Sequence, residues 1–454
     1  MASIAANNDP KRVIEESPMT LRMWIIVAVM VLLNANDGFD VLSSAFAAPG
    51  ISAEWGIPRS ELGIMLGAEL VGMGFGSVLL GGLADRMGRK PTIIICLVIG
   101  GIGMFLASQA GGVWDLTAFR FITGIGIGGM LASINAVTAE CSNKKDRGLA
   151  MALMVIGYPL GAVLGGLVAA ELLQEYTWRS MFVFGGIITV VCVPLVMLLV
   201  PETPAYYVAT RREGALEKIN KSLRFMGLRD IDALPTALRK EDQPKITDIL
   251  SKPALRKVTL LLGFGYMFHT FTFYYILKFA PQIVADFGYD PSEAATVLVW
   301  ANVGGTVGGF IFGFFMKKWD IKGPTIVMLL LAAIAVAAFG IAKDSLWGWR
   351  MATFFTGFLT NAAIVGYYAA YARGFPAYAR ATGTGFVLGI GRFGAAGSPV
   401  IAGFLFTILG NDQLLPVSII MAMGSVAAAV LFFILPLKDG DKEFMDNIPA
   451  GEAP

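Results

Sequence analysis

Apolar runs closed by glycine, proline or clustered charge recur along the whole chain. Each is about 20 residues long, the length at which an α-helix crosses roughly 30 Å of hydrocarbon. The runs predict helices near 22–49, 61–83, 91–110, 113–139, 147–172 and 178–200. A second set is predicted near 255–280, 293–316, 324–342, 346–372, 381–408 and 412–436. Residues 201–254 between the sets are rich in Lys, Arg, Glu and Asp and read as a linker. The expected fold is all-α and integral to the membrane. Twelve transmembrane helices form two pseudo-symmetric six-helix bundles, 22–200 and 255–436, with polar tails at 1–21 and 437–454.

The two sets repeat one another. A shift of 233 residues lays ITG at 122–124 on FTG at 355–357, Phe46-Ala47 on Phe279-Ala280, and Arg147 on Arg380. With a slip of one residue, VGMGFGSVLLG at 71–81 lies on VGGTVGGFIFG at 303–313. Parallel repeats of this kind belong to transporters, whose substrate sites lie near the bilayer midplane. The shift also sets Asn36 and Asp37 opposite His269 and Thr270, so a polar cluster in the first helix has a polar counterpart in the seventh.

Composition agrees with the membrane reading. The 454 residues are 56% hydrophobic and 15% charged, with a mean hydropathy of +0.67; soluble domains carry about 25% charged residues. Asp9, Glu15 and Glu16 interrupt the basic residues that a signal peptide would need, so the first apolar run is expected to stay as a helix. Orientation follows from Lys and Arg, which collect on the cytoplasmic side. With the N-terminus inside, the external loops hold only Arg59, Arg179, Lys278, Lys343 and Arg350. Nearly all the others of the 35 fall in cytoplasmic loops and tails, so both termini are expected in the cytoplasm. Cys96, Cys141 and Cys192 form no CxxC pair and read as packing thiols rather than redox or metal groups.

Against this background the ionisable residues inside helices stand out: Asp37, Asp40, Glu69, Arg120, His269 and Arg392. Each charge costs about 2.5–3.5 kcal/mol at the centre of a spanning helix, which makes function the first hypothesis. Asp37 lies about 15 residues into its helix, some 22 Å along it and near the middle. Asp40 follows on the same face. Two acids so close should share protons as a pair and exchange them at working pH. The competing explanation is an ion pair with a buried arginine that only holds the bundle together. Arg120 and Arg392 suit an anionic substrate, because a guanidinium grips a carboxylate with two parallel hydrogen bonds. One arginine could hold the acid when the site is empty and the substrate when the acid is protonated. His269, the single histidine, lies in YMFHTFTFYY and could relay a proton, bond a hydroxyl or simply pack. The aromatic residues around it, with Phe354, Phe355, Phe358, Tyr367, Tyr368 and Tyr371, could stack on a flat ring. Glu69 has no assigned role. Small-xxx-small pairs at Gly124/Gly128, Gly161/Gly165, Gly304/Gly308 and Gly309/Gly313 read as close helix contacts.

The segment GGLADRMGRK, 81–90, resembles the signature of the major facilitator superfamily at Gly81, Asp85, Arg86, Gly88, Arg89 and Lys90. RFITGIGIG at 120–128 and PETPAYY at 201–207 match further signatures of that superfamily. DGFD at 37–40, GYPLGAVLGG at 157–166 and RATGTGFVLGIGRFGAAGSP at 380–399 together resemble the aromatic acid:proton symporter family, over all twelve helices. The resemblance implies a gate built from the 81–90 segment. There Asp85 lies at a helix end of the other half, and Arg89 pairs with an acid, for which Glu140 is the candidate. It implies proton coupling at Asp37 and Asp40, and substrate handling or gating at Arg120, Arg380 and Arg392. Tyr158 and Asn361 are counted with Arg120, Arg392 and His269 as substrate-binding. The second-half copy of the gate departs from the pattern, with Lys317 where the first half has Asp85.

The expected function is proton-coupled uptake of an aromatic acid such as a hydroxybenzoate across a bacterial inner membrane, by a lipid-embedded monomer. No cofactor or metal beyond the coupling proton, and no nucleic acid, is expected. A sugar porter shares PETP and the gate, but buried carboxylates and arginines fit an anion better. GYPLGAVLGG keeps a drug or organic-anion antiporter open, and a non-transporting receptor on the same scaffold stays open too. An enzyme lacks its usual supports here: one histidine, no metal cluster and no nucleophile–base motif.

Overall fold

A computed structural model of the chain describes residues 9–235, 250–316, 320–342, 345–376 and 379–437. Lys317, Lys343, the centre of the predicted linker and most of the C-terminal tail lie outside the described residues. Sixteen helices are described. The first eight are α1 (Pro10–Glu16), α2 (Leu21–Trp55), α3 (Arg59–Leu79), α4 (Gly81–Met87), α5 (Arg89–Ser108), α6 (Val113–Glu140), α7 (Arg147–Glu175) and α8 (Arg179–Leu199). The remainder are α9 (Pro204–Thr210), α10 (Ala215–Met226), α11 (Pro253–Asp286), α12 (Pro291–Phe315), α13 (Lys322–Phe339), α14 (Leu346–Gly374), α15 (Arg380–Leu409) and α16 (Leu414–Ile434).

Among the described residues, eleven helices are long and apolar enough to cross a membrane. The 29-residue α14 is not one of them, although the repeat and the prediction count it as a span. Its Trp347, Trp349, Arg350, Asn361 and three tyrosines replace the aliphatic residues that raise hydropathy elsewhere.

Two predicted ends move. The helices expected to stop at 49 and 280 run on to Trp55 and Asp286, through Pro49 and Pro281. A proline removes one donor, and a packed membrane helix can meet the freed carbonyl from its surroundings, so the helix continues. The linker region is also more ordered than its polarity suggests. It begins with α9 and α10, and Ile219, Leu223 and Met226 of α10 are buried.

The chain divides into two compact units. One comprises Met1–Ser43, Ala68–Gly165 and Tyr176–Arg239; the other comprises Ser44–Gly67, Gly166–Glu175 and Lys240–Pro454. In the first unit α2 and α7 meet backbone to backbone. A Cβ on Gly38 would overlap the carbonyl of Tyr158, and one on Gly161 would overlap the carbonyl of Ala35. DGFD and GYPLGAVLGG, separate motifs in the sequence, are therefore the two sides of one helix contact. The same unit packs α3 on α6, where Gly124 abuts the carbonyl of Glu69. The second unit repeats that contact between α12 and α14, with Gly357 against the carbonyl of Ala301. Gly309 and Gly313 do not belong to this set. Their nearest neighbours across the interface are methyl groups of Val365, at 3.5 and 3.7 Å, in ordinary contact.

The short α1 is tied to the start of α7. Val13 and Ile14 are buried, and Arg147 Nη2 lies 2.9 Å from Glu15 Oε1. That hydrogen bond holds the Glu15 carboxyl below its usual range.

Candidate functional site

In the first unit α2, α3, α6 and α8 bring Asp37, Asp40, Glu69 and Arg120 into the interior, each at most 2% exposed. The close approach at Gly124, one turn after Arg120, sets α3 beside α6 at the level of Glu69. Arg120 Nη2 then lies 2.6 Å from Glu69 Oε1, in an ion pair with no exposure on either side chain. The sequence left Glu69 without a role and offered Asp37 or Asp40 as the partner of Arg120. In the structure that partner is Glu69, and Asp40 contributes its backbone carbonyl, which accepts from Arg120 Nη2 at 2.6 Å. Arg120 Nη1 donates to Met104 Sδ at 2.8 Å, and the guanidinium carbon stands 5.4 Å from the centre of the Phe182 ring.

The carboxylate of Asp40 faces α8 instead. Its Oδ2 accepts from Asn36 Nδ2 at 3.0 Å, and the same amide reaches Thr189 Oγ1 at 3.1 Å. Oδ1 of Asp40 is buried without a hydrogen-bond partner among the described residues. Asp37 is one turn earlier on the same helix and equally buried. Tyr158, half-buried, lies across the α2–α7 contact at Gly38.

The 81–90 segment forms a second constellation. Gly88 has φ 107°, a conformation that L-residues avoid, and caps α5. Arg89 Nη1 lies 3.2 Å from Asp85 Oδ1, and Nη2 lies 3.4 Å from Glu140 Oε1, the acid named for it from the sequence. Asp85 itself is exposed. The sequence did not assign Glu202 of PETP, yet its carboxylate accepts from the backbone N–H of Arg89 at 2.9 Å, Lys90 at 3.1 Å and Thr203 at 2.9 Å. It thereby covers the N-terminus of α5, where peptide dipoles favour an anion. Burial still pushes the Glu202 carboxyl up, against those three donors. Arg86 takes part through its carbonyl, which accepts from Tyr206 Oη at 3.0 Å and Arg212 Nη2 at 2.7 Å. Lys90 Nζ donates to the carbonyl of Met197 at 2.7 Å, and Gly81 opens α4. Glu202→Ala is expected to cost about 1.5–3 kcal/mol, the range for hydrogen bonds to a charged group. Glu202→Gln, which keeps one acceptor oxygen, should recover part of it; thermal unfolding of the detergent-purified variants checks both.

In the second unit His269 is fully buried, with Nδ1 2.9 Å from Ser425 Oγ and Nε2 2.9 Å from the carbonyl oxygen of Thr360. A carbonyl only accepts, so Nε2 carries the hydrogen and Nδ1 accepts from the serine. The histidine thus joins α11, α14 and α16. Tyr367 is stacked 6.2 Å from it and stands 5.5 Å from Tyr266, which is 6.0 Å from Tyr371. Arg392 is half-buried on α15, beside Gly391, whose Cα faces the Tyr266 ring. Asn361, half-buried on α14, packs against Gly305 of α12, and Arg380 is the first residue of α15.

One further charge was misplaced by the sequence reading. Lys278, counted in an external loop, lies inside α11 and is fully buried. Its signal was available: YYILKFAP surrounds a lone cation with apolar residues on both sides.

The sequence profile of the Major Facilitator Superfamily matches residues 29–349 and 262–450, two overlapping stretches that together span most of the chain. The 4-hydroxybenzoate transporter PcaK of Pseudomonas putida is 28% identical over 398 residues, covering 87% of this chain and 88% of its own. A gallate transporter of the same species is 29% identical over 434 residues, 92% of this chain and 95% of its own. These are relatives of the kind that DGFD, GYPLGAVLGG and the α15 motif pointed to. Among solved structures, a bacterial homologue of the human lysosomal transporter Spinster, inward-facing and occupied, superposes with a TM-score of 0.72 at 17% identity. It covers 90% of this chain and 96% of that one, and the likeness shows the fold alone. The chain belongs to the Major Facilitator Superfamily and is a multi-pass membrane transporter, not an enzyme.

Proposed function

We propose that this transporter takes up an aromatic carboxylic acid together with protons, by alternating access, in the inner membrane of a bacterium with both termini cytoplasmic. The observation that carries proton coupling is Asp40. It is 1% exposed, and among the described residues no cation lies within ion-pair distance of its carboxylate and one oxygen has no hydrogen-bond partner. An ionised carboxylate so placed costs several kcal/mol, and a proton removes that cost. Asp37, one turn away and also buried, completes the proton-carrying pair. Glu69 leaves Asp40 free for this work by taking the charge of Arg120.

The substrate class rests on the relatives named for 4-hydroxybenzoate and gallate and on the buried cations of the spanning helices. Arg392, and Arg120 once Glu69 releases it, are assigned to the substrate carboxylate; His269, Tyr158 and Asn361 are assigned to its ring and substituents. Arg380 and the 81–90 segment with Glu140 act as the gate. Sugar uptake has less support, since a polyol gives no reason to bury this many charges.

The deciding experiment is uptake of labelled benzoate, 4-hydroxybenzoate, protocatechuate, vanillate and glucose into proteoliposomes with an inward proton gradient. Accumulation of an aromatic acid that a protonophore abolishes is the expected result. Accumulation of glucose, or of an acid with no effect of the protonophore, would overturn the reading. Arg392→Ala is expected to weaken acid uptake more than Arg392→Lys, because lysine keeps the charge and loses only the two-pronged geometry. Equal losses in KM for the two would remove the charge from the account.

A further inference from the structure

Arg59 opens α3 and Asp286 closes α11, and their side chains form an ion pair. Each charge stands at the wrong end of its own helix. The partial positive charge at a helix N-terminus disfavours a cation, and the partial negative charge at a C-terminus disfavours an acid. Helix stability therefore accounts for neither residue, whereas the pair accounts for both. The repeat holds no second copy of it, since the 233-residue shift lays Arg59 on Ser292 and Asp286 on Ala53.

The pair joins segments from the first and second sets of helices. Ser44–Gly67, which holds the end of α2 and the start of α3, belongs to the compact unit that contains the second set. There Gly63 abuts the carbonyl of Pro399 on α15, and Gly403 abuts the carbonyl of Arg59. The backbone N–H of Ser60 donates to Thr407 Oγ1 at 3.0 Å. Arg59 Nη1 donates to Ser52 Oγ at 3.0 Å, and Gln282 Nε2 donates to Asp286 Oδ1 at 2.8 Å. In alternating access the two sets part at each end in turn. These contacts must then break when this end opens, and in the proposed orientation it is the outer end.

The pair also borders open space. Arg59, Asp286, Gln282 and Ser52 line a cavity of about 720 Å³, in the range of small-molecule sites, about 300–1,000 Å³. The two charged side chains are 13% and 23% exposed. Asp286 accepts from Arg59 Nη2 through Oδ1, the same oxygen that accepts from Gln282. Arg59 Nε is buried with no hydrogen-bond partner among the described residues. A guanidinium holds a carboxylate best with two parallel bonds, so Asp286 leaves part of that capacity unused. A carboxylate entering the cavity meets this arginine at the N-terminus of α3, where an anion is favoured.

We propose that Arg59 is the first residue to bind the substrate's carboxylate, which replaces Asp286 there and releases the outer end. The proposal rests on the reading of the substrate as an aromatic carboxylate taken up from outside. Its test is uptake of labelled 4-hydroxybenzoate by right-side-out membrane vesicles, with opening followed in parallel. The reporter of opening is Ala48→Cys, at a fully buried position one turn before Ser52, labelled with a membrane-impermeant maleimide. The chain without the reporter gives the background of the three buried native thiols. Asp286→Asn and Arg59→Gln both break the pair, and neither strands a charge away from water. Both are expected to speed labelling about fivefold or more without substrate, by shifting the population towards the open state. Their KM for the acid should move in opposite directions. It is expected to fall about threefold in Asp286→Asn, which loses the competing carboxylate, and to rise about tenfold in Arg59→Gln, which loses the receiving group. Arg59→Lys keeps the pair, so its labelling should match wild type while KM rises about threefold.

Equal KM changes in Asp286→Asn and Arg59→Gln would make the pair a latch alone and overturn Arg59 as the receiving residue. A wild-type KM in Arg59→Lys would reduce Arg59 to attracting the anion at a distance, which also overturns it. Labelling unchanged in both neutral variants would overturn the release of the outer end. Labelling needs no substrate, so a wild type that takes up no aromatic acid would overturn the substrate class, and the proposal with it, whatever the reporter shows. A reporter labelled only in inside-out vesicles would overturn the orientation instead, and with it the place of Arg59 at the entry.

Discussion

Glu69→Ala is expected to destabilise the transporter by about 3–5 kcal/mol, the penalty for leaving one member of a buried ion pair without the other. Arg120 has 0% exposure and cannot reach water, and the carbonyl of Asp40 and the sulfur of Met104 cannot balance a full positive charge. The loss should show as poor recovery and a lowered unfolding temperature in detergent. The double variant Glu69→Gln with Arg120→Met removes both charges and keeps most of the volume. It is expected to regain most of that stability, because a buried pair replaced by packed neutral groups is often neutral or stabilising. Transport should not return with it. A double variant as unstable as Glu69→Ala would show that the cluster's packing, and not its charge balance, holds α3 to α6. A double variant that transports would remove Arg120 from the substrate path.

Asp40→Asn should give the opposite pattern, a folded protein with no uphill transport. The amide oxygen still accepts from Asn36 Nδ2, and the contacts of the Asp40 backbone carbonyl with Arg120 and Ser43 are unchanged. What disappears is the group that can gain and lose a proton. Accumulation driven by an inward proton gradient is expected to fall to the protonophore-treated level. Exchange of labelled for unlabelled substrate, which needs no net proton movement, should persist. Asp37→Asn is expected to behave in the same way, because the two carboxyls act as one proton-carrying pair. Uphill uptake persisting in either variant would take that residue out of the coupling role, and loss of exchange in a well-folded variant would move it to substrate binding.

Much of the site was legible one residue at a time. Asp37, Asp40 and Arg120 stood out because the cost of a charge in hydrocarbon depends only on the run that contains it. Arg89 and Glu140 were paired through motif resemblance, and the geometry places them 3.4 Å apart. PETPAYY was recognised as a signature, but Glu202 within it was given no role, because what it contacts lies far away in the chain. Its function depends on α5 starting beside it, on a glycine with positive φ. Lys278 was misplaced for a related reason. It lies two residues before the predicted end at 280, and a lysine at a helix end looks like a loop lysine.

The sequence by itself determined that long apolar runs form helices, that two sets of runs repeat by a constant shift, and that two acids lie inside the first run. Run length, a constant shift between halves and the cost of a buried charge are all properties of the chain in one dimension. The tertiary structure alone decided that Glu69 neutralises Arg120, that Asp40 turns its carboxylate to Asn36, and that α2 and α11 continue through Pro49 and Pro281. Those outcomes depend on which helices approach closely enough for their backbones to touch. Glycines such as Gly38, Gly124 and Gly161 permit such an approach, but a glycine read along one helix does not name the carbonyl it will meet on another.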